Sequence, residues 1–121
     1  MTEVTPLRAR TEADLLNEVF FALSDPVRRA ILERLDGRSL LVSELAAPFG
    51  ISLQAVSRHI QVLVRAGLVS QARSGRISRC SLEAQPLSEA AAWINRYAKY
   101  WQGQFEALAQ HLSRLEEEKT P

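Results

Sequence analysis

One cysteine, two histidines and five glycines are all that a chain of 121 residues contains of these types. Each scarcity removes a class of protein. Cys80 stands alone, so no intrachain disulfide can form and a disulfide-stapled secreted domain is excluded. With no secretory signal either, the chain reads as a protein of the reducing cytoplasm. Transition-metal sites need several converging nitrogen or sulfur ligands, and His59, His111 and Cys80 cannot supply them within one protomer. No apolar run approaches the ~20 residues of a membrane helix, so no membrane partner is expected. There is no phosphate-cradling glycine loop, no nucleophile–base pair and no pair of carboxylates set for acid–base work. The sequence therefore predicts no enzyme and no cofactor.

Acidic residues are also missing, but only locally. Residues 1–51 hold six basic and eight acidic side chains, and residues 83–121 hold four and six. Residues 52–82 hold Arg58, Arg65, Arg73, Arg76 and Arg79 and no acid. The whole chain is nearly neutral at +1, so the basic segment between two acidic ones points to an anionic partner held at one place. Hydrophobic residues make up 46% of the chain, enough for one domain with an extension.

The basic segment opens with LAAPFGISLQAVSRHIQVLVRAG, residues 45–67. A short helix ends near Phe49, and Gly50 is expected to take the left-handed turn that stops it. Ile51 reads as a buried plug. Ser52 is a good N-cap for an amphipathic helix from Leu53 to Ala66. On a helical wheel Leu53, Val56, Ile60, Leu63 and Val64 share the core face. Gln54, Arg58, Gln61 and Arg65 fall opposite, with Ser57 and His59 on the flanks and Val62 the one large apolar residue outside. Arginine suits guanine, glutamine suits adenine, and serine suits base or phosphate. Helix, turn and second helix form a helix-turn-helix.

Earlier in the chain, Thr11 caps a helix TEADLLNEVFFALS whose apolar stripe is Leu15, Leu16, Val19, Phe20 and Leu23. Asp25-Pro26 starts a second helix, VRRAILERLD, closed by Gly37. Its Arg28 and Arg29 either touch a DNA backbone or pair with Asp25 and Glu33, and the second reading is preferred. Ser43 is the expected cap of a third helix, SELAAPF. Beyond Gly67, residues 68–73 and 76–82 alternate around Ser74-Gly75, a hairpin signal. A ribbon that short must lie against the helices. The fold class is thus mainly α with a β wing, a winged helix-turn-helix of about five helices and a two-stranded hairpin.

From Pro86 a long helix is expected to run to about Glu118. Ile94, Ala98, Trp101, Phe105, Leu108, Leu112 and Leu115 recur at alternating steps of four and three, the a/d seam of a coiled coil. Trp93, Tyr97, Tyr100 and Trp101 widen the apolar face as interface anchors for a second copy. The same aromatics also admit a pocket for a small organic effector, whose identity nothing in the sequence indicates. The expected organisation is a flexible N-terminus over 1–10, a DNA-binding domain over 11–83 and a dimerisation helix over 86–118.

These motifs together resemble the ArsR/SmtB family of small bacterial winged-helix repressors. The resemblance rests on ALSDPVRRAILERL, on VSELAAPFGISLQAVSRHIQVLVRAGLV and on the wing SQARSGRISRCSL, over about residues 15–82. It implies a homodimer that binds an inverted-repeat operator in double-stranded DNA and blocks transcription. Many members are released by a metal ion. Here the stretch LLVSELAAPF has no Cys, His or Asp, and the last helix has a single histidine, His111, so a metal-independent member is expected. The DNA contacts expected are Ser52, Gln54, Ala55, Ser57, Arg58, His59, Gln61 and Arg65 on the helix, and Arg73, Ser74, Gly75 and Arg76 on the wing. The dimer contacts expected are Leu16, Val19 and Phe20, then Trp93, Tyr97, Tyr100, Trp101, Phe105, Leu108 and Leu112. A rival reading gives the same arginine face to an acidic protein partner instead of DNA.

Overall fold

Local side-chain caps fix where three of the helices begin. Thr11 and Asp14 form a reciprocal capping box, with both hydrogen bonds at 3.1 Å, at the start of α1 (Glu12–Leu23). Asp25 accepts from the Val27 and Arg28 amides, and Pro26 occupies the first position of α2 (Pro26–Arg34). Ser52 Oγ accepts from the Ala55 amide at the start of α4 (Leu53–Arg65). Between α2 and α4 lie β1 (Leu40–Leu41) and the short α3 (Val42–Ala46). The computed structural model describes residues 11–119; the expectation of a flexible stretch at 1–10 lies outside them.

Ser43 does not cap α3. The N-cap is Leu41, which has no side-chain acceptor; its own amide donates to Glu44 Oε1 at 2.7 Å, the half of a capping box that the residue three positions on supplies. Gly50 does not take a left-handed conformation, whereas Gly67 does, with φ of 78°. Gly67 closes α4 in a Schellman turn: its amide donates to the Val64 carbonyl and the Leu68 amide to the Leu63 carbonyl, both at 2.9 Å. That turn aims the chain directly into β2 (Val69–Ser74), which pairs antiparallel with β3 (Ile77–Leu82). The hairpin closes with Ser74 opposite Ile77, so its two-residue loop is Gly75-Arg76, one step later than expected, and Gly75 sits at φ 63°.

The sheet has three strands and not two. Leu40 and Leu41 pair with Cys80 and Arg79, giving the order β1-β3-β2. The wing is therefore anchored along β3 to the segment that leads into α3. The core beneath it joins Ile31 and Leu35 of the α2 region, Leu45 of α3, and Val56, Ile60 and Leu63 of α4 to Leu68 and Cys80. Val19 belongs to this core at 2% exposure, so it cannot also face a second copy; Leu16 and Phe20 are half-buried and pack against the core. Leu53 and Ile51 depart from expectation in the other direction, at 54% and 41% exposure. Leu53 is the first residue of α4, ahead of the turn that lies on the core.

The chain divides into two compact units, one ending at Ala90 and the other beginning at Ala91. The expected continuous helix over 86–118 is broken. α5 (Gln85–Asn95) ends, a 3₁₀ turn occupies Ala98–Tyr100, and α6 (Gln102–Lys119) follows. Through the break the amides of Arg96, Tyr97, Tyr100 and Trp101 donate to carbonyls three residues back. Asparagine, two tyrosines and a tryptophan, followed by Gly103, form the stretch with least helix propensity. In the second unit the Trp93 and Tyr97 rings meet edge to face at 5.4 Å. Nothing in α6 is buried, and Phe105, Leu108, Leu112 and Leu115 are 40–61% exposed along one seam. No helix among the described residues is long and apolar enough to cross a membrane.

Candidate nucleic-acid interface

The outer stripe of α4 and the wing enclose a groove of about 400 Å³. Ser57 and Gln61 line it from the helix, Arg73 and Arg76 from the wing, and Ser43 and Val42 from α3. One hydrogen-bonded chain fixes the two walls together. Gln61 Nε2 donates to Gln71 Oε1, and Gln71 Nε2 donates to Ser78 Oγ, each at 3.0 Å. Gln61, expected as a DNA contact, is thus also the tie between α4 and the wing. Gln71 was not singled out by sequence, because an alternating strand residue carries no sign of what it reaches across the turn.

Arg58, Arg73 and Arg76 are exposed, and among the described residues none makes a hydrogen bond or ion pair. Ser52 and Gln54 stand exposed on the first turn of α4 with Ala55 behind them half-buried, and Ser74 and Gly75 stand exposed at the wing tip. A row of uncommitted guanidinium and amide groups at a helix start, opposite a basic tip, can take phosphates and base edges at once. Arg65 is not part of that row. It lines a separate hollow with Asn17, Glu18 and Phe21 of α1 and Val62 of α4.

His59 also departs from the expected set. Its ring turns toward α2, with Nδ1 3.3 Å from Arg28 Nη1 and 3.8 Å from Asp25 Oδ2. Since a guanidinium can only donate, Nδ1 is the acceptor when the ring is neutral. Arg28 itself is buried. Its Nε donates to the Ala22 carbonyl at 2.8 Å and its Nη2 to the Phe21 carbonyl at 2.9 Å, while the guanidinium lies 4.9 Å from the centre of the Phe21 ring. Arg29 Nη1 donates to the Leu23 carbonyl at 2.6 Å. Both arginines therefore terminate α1, which has no basic residue in its own last turn. The side chains of both arginines are held by backbone carbonyls, and the expected pairing with Asp25 is present for Arg28 through its amide and its charge.

Asp25 and Cys80 are displaced from their usual range. Desolvation pushes the Asp25 carboxyl up. The Arg28 and Val27 amides and the charges of His59 and Arg28 outweigh it, and the net shift is downward. Burial pushes the Cys80 thiol up, partly offset by a hydrogen bond with the Gln71 side chain. A fully buried thiol held protonated in the central strand is packing material, not a nucleophile.

Comparison with known proteins agrees with this geometry. A family described as "Helix-turn-helix domain" matches residues 23–72. The chain is 35% identical over 79 residues to the transcriptional repressor SdpR of Bacillus subtilis, across 65% of this chain and 88% of that protein. It is 38% identical over 76 residues to the HTH-type transcriptional regulator Rv2034 of Mycobacterium tuberculosis, across 63% of this chain and 71% of that protein. Among solved structures, the ArsR family transcriptional regulator RHA00566 superimposes with a TM-score of 0.70 at 36% identity, across 78% of this chain and 97% of that one. With a winged helix-turn-helix, an arginine face free of acid and relatives that are regulators over most of their length, the chain belongs to the ArsR/SmtB family of small DNA-binding transcriptional regulators.

Proposed function

We propose that the protein is a homodimeric cytoplasmic repressor that binds an inverted-repeat operator and needs no metal ion. The observation that carries this reading is the acid-free surface of α4 and the wing, where Arg58, Arg73 and Arg76 have no intramolecular partner among the described residues. Two copies of α4 set about 34 Å apart enter successive major grooves on one side of the duplex. Ser52, Gln54, Ser57 and Arg58 then meet base edges or phosphates, and Arg73 and Arg76 hold the flanking backbone. Repression follows because a dimer seated on a promoter excludes the polymerase; the relative from B. subtilis carries the name repressor. Metal independence is supported by the makeup of the family's usual ligand positions: LLVSELAAPF offers Glu44 alone, and His111 is the one histidine on α6.

The second copy is held by the exposed seam of Phe105, Leu108, Leu112 and Leu115, with Tyr97 and Tyr100 as further anchors. Replacing Leu108 and Leu112 together by Asp is expected to leave the fold of residues 11–90 intact. It halves the mass in sedimentation and lowers operator affinity by more than tenfold, although neither residue touches DNA.

The deciding experiment is a fluorescence-anisotropy titration of the full chain against DNA from upstream of its own gene, with a scrambled duplex beside it, at several salt concentrations. Preference for the native fragment, a steep salt slope and two protomers per site are the expected results. Equal and weak binding to both duplexes overturns the operator reading.

A further inference from the structure

Leu53 is the one strongly exposed large apolar side chain on α4, among polar neighbours on that helix. It is the first residue of α4, 54% exposed, and lies in one stripe with Ser57 and Gln61 along the groove that Arg73 and Arg76 close. Ser52 and Gln54 flank it, both polar and exposed. The first residues of a recognition helix are the ones that reach base edges in the major groove. Those edges are donors and acceptors apart from the C5 position of the pyrimidines, a bare C–H in cytosine and a methyl group, the larger apolar target, in thymine. Leucine has no donor or acceptor, so against any other edge it strips water from a polar group and returns nothing. Against a methyl group it gains burial on both sides.

We propose that Leu53 is a specificity-determining residue that packs on the 5-methyl group of one thymine in each half-site. The proposal rests on the operator-binding reading above and goes beyond it by naming a base and the atom that is read. It also gives a reason for the exposure of Leu53, which the helical wheel had assigned to the core. Ile77, 55% exposed across the groove on the wing, provides the comparison. A wing contact falls on the backbone or the minor groove, where no thymine methyl is displayed.

The test begins with a duplex selected by the full chain from a random-sequence pool. Each thymine of that duplex is then replaced singly by deoxyuridine, which removes the methyl group and nothing else. For the native protein, one thymine per half-site is expected to lose about fourfold in affinity on replacement, the partitioning of one methyl group. Leu53→Ala is expected to bind the thymine and uracil duplexes equally. Leu53→Met, still apolar, keeps most of the ratio, and Ile77→Ala weakens both duplexes while preserving it. Thermal unfolding of the three variants establishes that each is folded. A Leu53→Ala protein that keeps the fourfold ratio overturns the proposal, as does the absence of any thymine whose methyl matters to the native protein. Failure of the underlying reading looks different: the pool yields no enriched sequence, and neither native protein nor variant shows salt-steep binding.

Discussion

The junction of α1 and α2 and the surface of α4 and the wing are both rich in arginine, and they use it in opposite ways. At the junction, Arg28 and Arg29 are engaged by the carbonyls of Phe21, Ala22 and Leu23. On the other surface Arg58, Arg73 and Arg76 reach into solvent without a partner among the described residues. Arginine content therefore does not distinguish the two surfaces; whether the fold itself satisfies the guanidinium does. The first group is expected to govern stability and the second affinity, and substitutions at each should move one quantity and spare the other.

The largest effect is expected at Arg28. Replacing it by Ala leaves two carbonyls at the end of α1 without their donors and removes the stacking on Phe21, a loss of about 2–4 kcal/mol of folding stability in urea denaturation. Arg28→Lys restores little, because an ammonium cannot bridge two carbonyls as a planar fork does. Operator affinity per folded molecule stays at the native value for both. If Arg28→Ala instead weakens DNA binding with stability intact, the division between the two regions is wrong.

Arg58→Ala should show the reverse. Stability stays within about 0.5 kcal/mol of native, as for other exposed positions. Operator binding falls by about 1–3 kcal/mol with relaxed preference at one base pair, if the guanidinium reads a base edge. Unchanged preference with weaker binding assigns it to the backbone. Arg76→Ala, at the wing tip, is expected to weaken all sequences alike and flatten the salt slope by about one. A slope equal to the native one removes the wing from the interface.

The same division separates what the sequence discloses from what it does not. The starts of α1, α2 and α4 were legible because cap chemistry is local, at Thr11, Asp25 and Ser52; that of α3 was not, because Leu41 caps it in place of Ser43. The hairpin was legible because Gly75 is the residue its turn requires. The stripe of Gln54 and Arg58 was legible from helical period alone. The rest depends on contacts that no period reports. β1 is two residues long, and its partner is in a strand far along the chain. Arg28 finds His59 across 31 positions. Leu53 fits the wheel, yet it precedes Val56, the first residue of α4 in the core, and lines the groove instead. The a/d spacing runs unbroken from Ile94 to Leu115, but spacing counts residues and not hydrogen bonds, so the 3₁₀ turn at Ala98–Tyr100 left no trace in it.

Asp25 gives the smallest and most selective test of the junction. Its folded-state carboxyl titrates below the ordinary aspartate value of 3.8, because the Arg28 and Val27 amides and the nearby cationic groups outweigh the opposing desolvation. A group shifted downward stabilises the fold fully above the unfolded value, and that stability is lost as the pH falls through the lowered folded value. Asn caps a helix about as well as Asp and carries no charge. Asp25→Asn is therefore expected to change stability by only a few tenths of a kcal/mol at pH 7, and to flatten the loss of stability below about pH 4. Arg28→Ala shifts the whole curve downward; Asp25→Asn alters only its acid limb. Parallel acid limbs for native protein and Asp25→Asn would mean that another carboxylate carries the acid sensitivity, and that Asp25 holds the start of α2 by hydrogen-bond geometry alone.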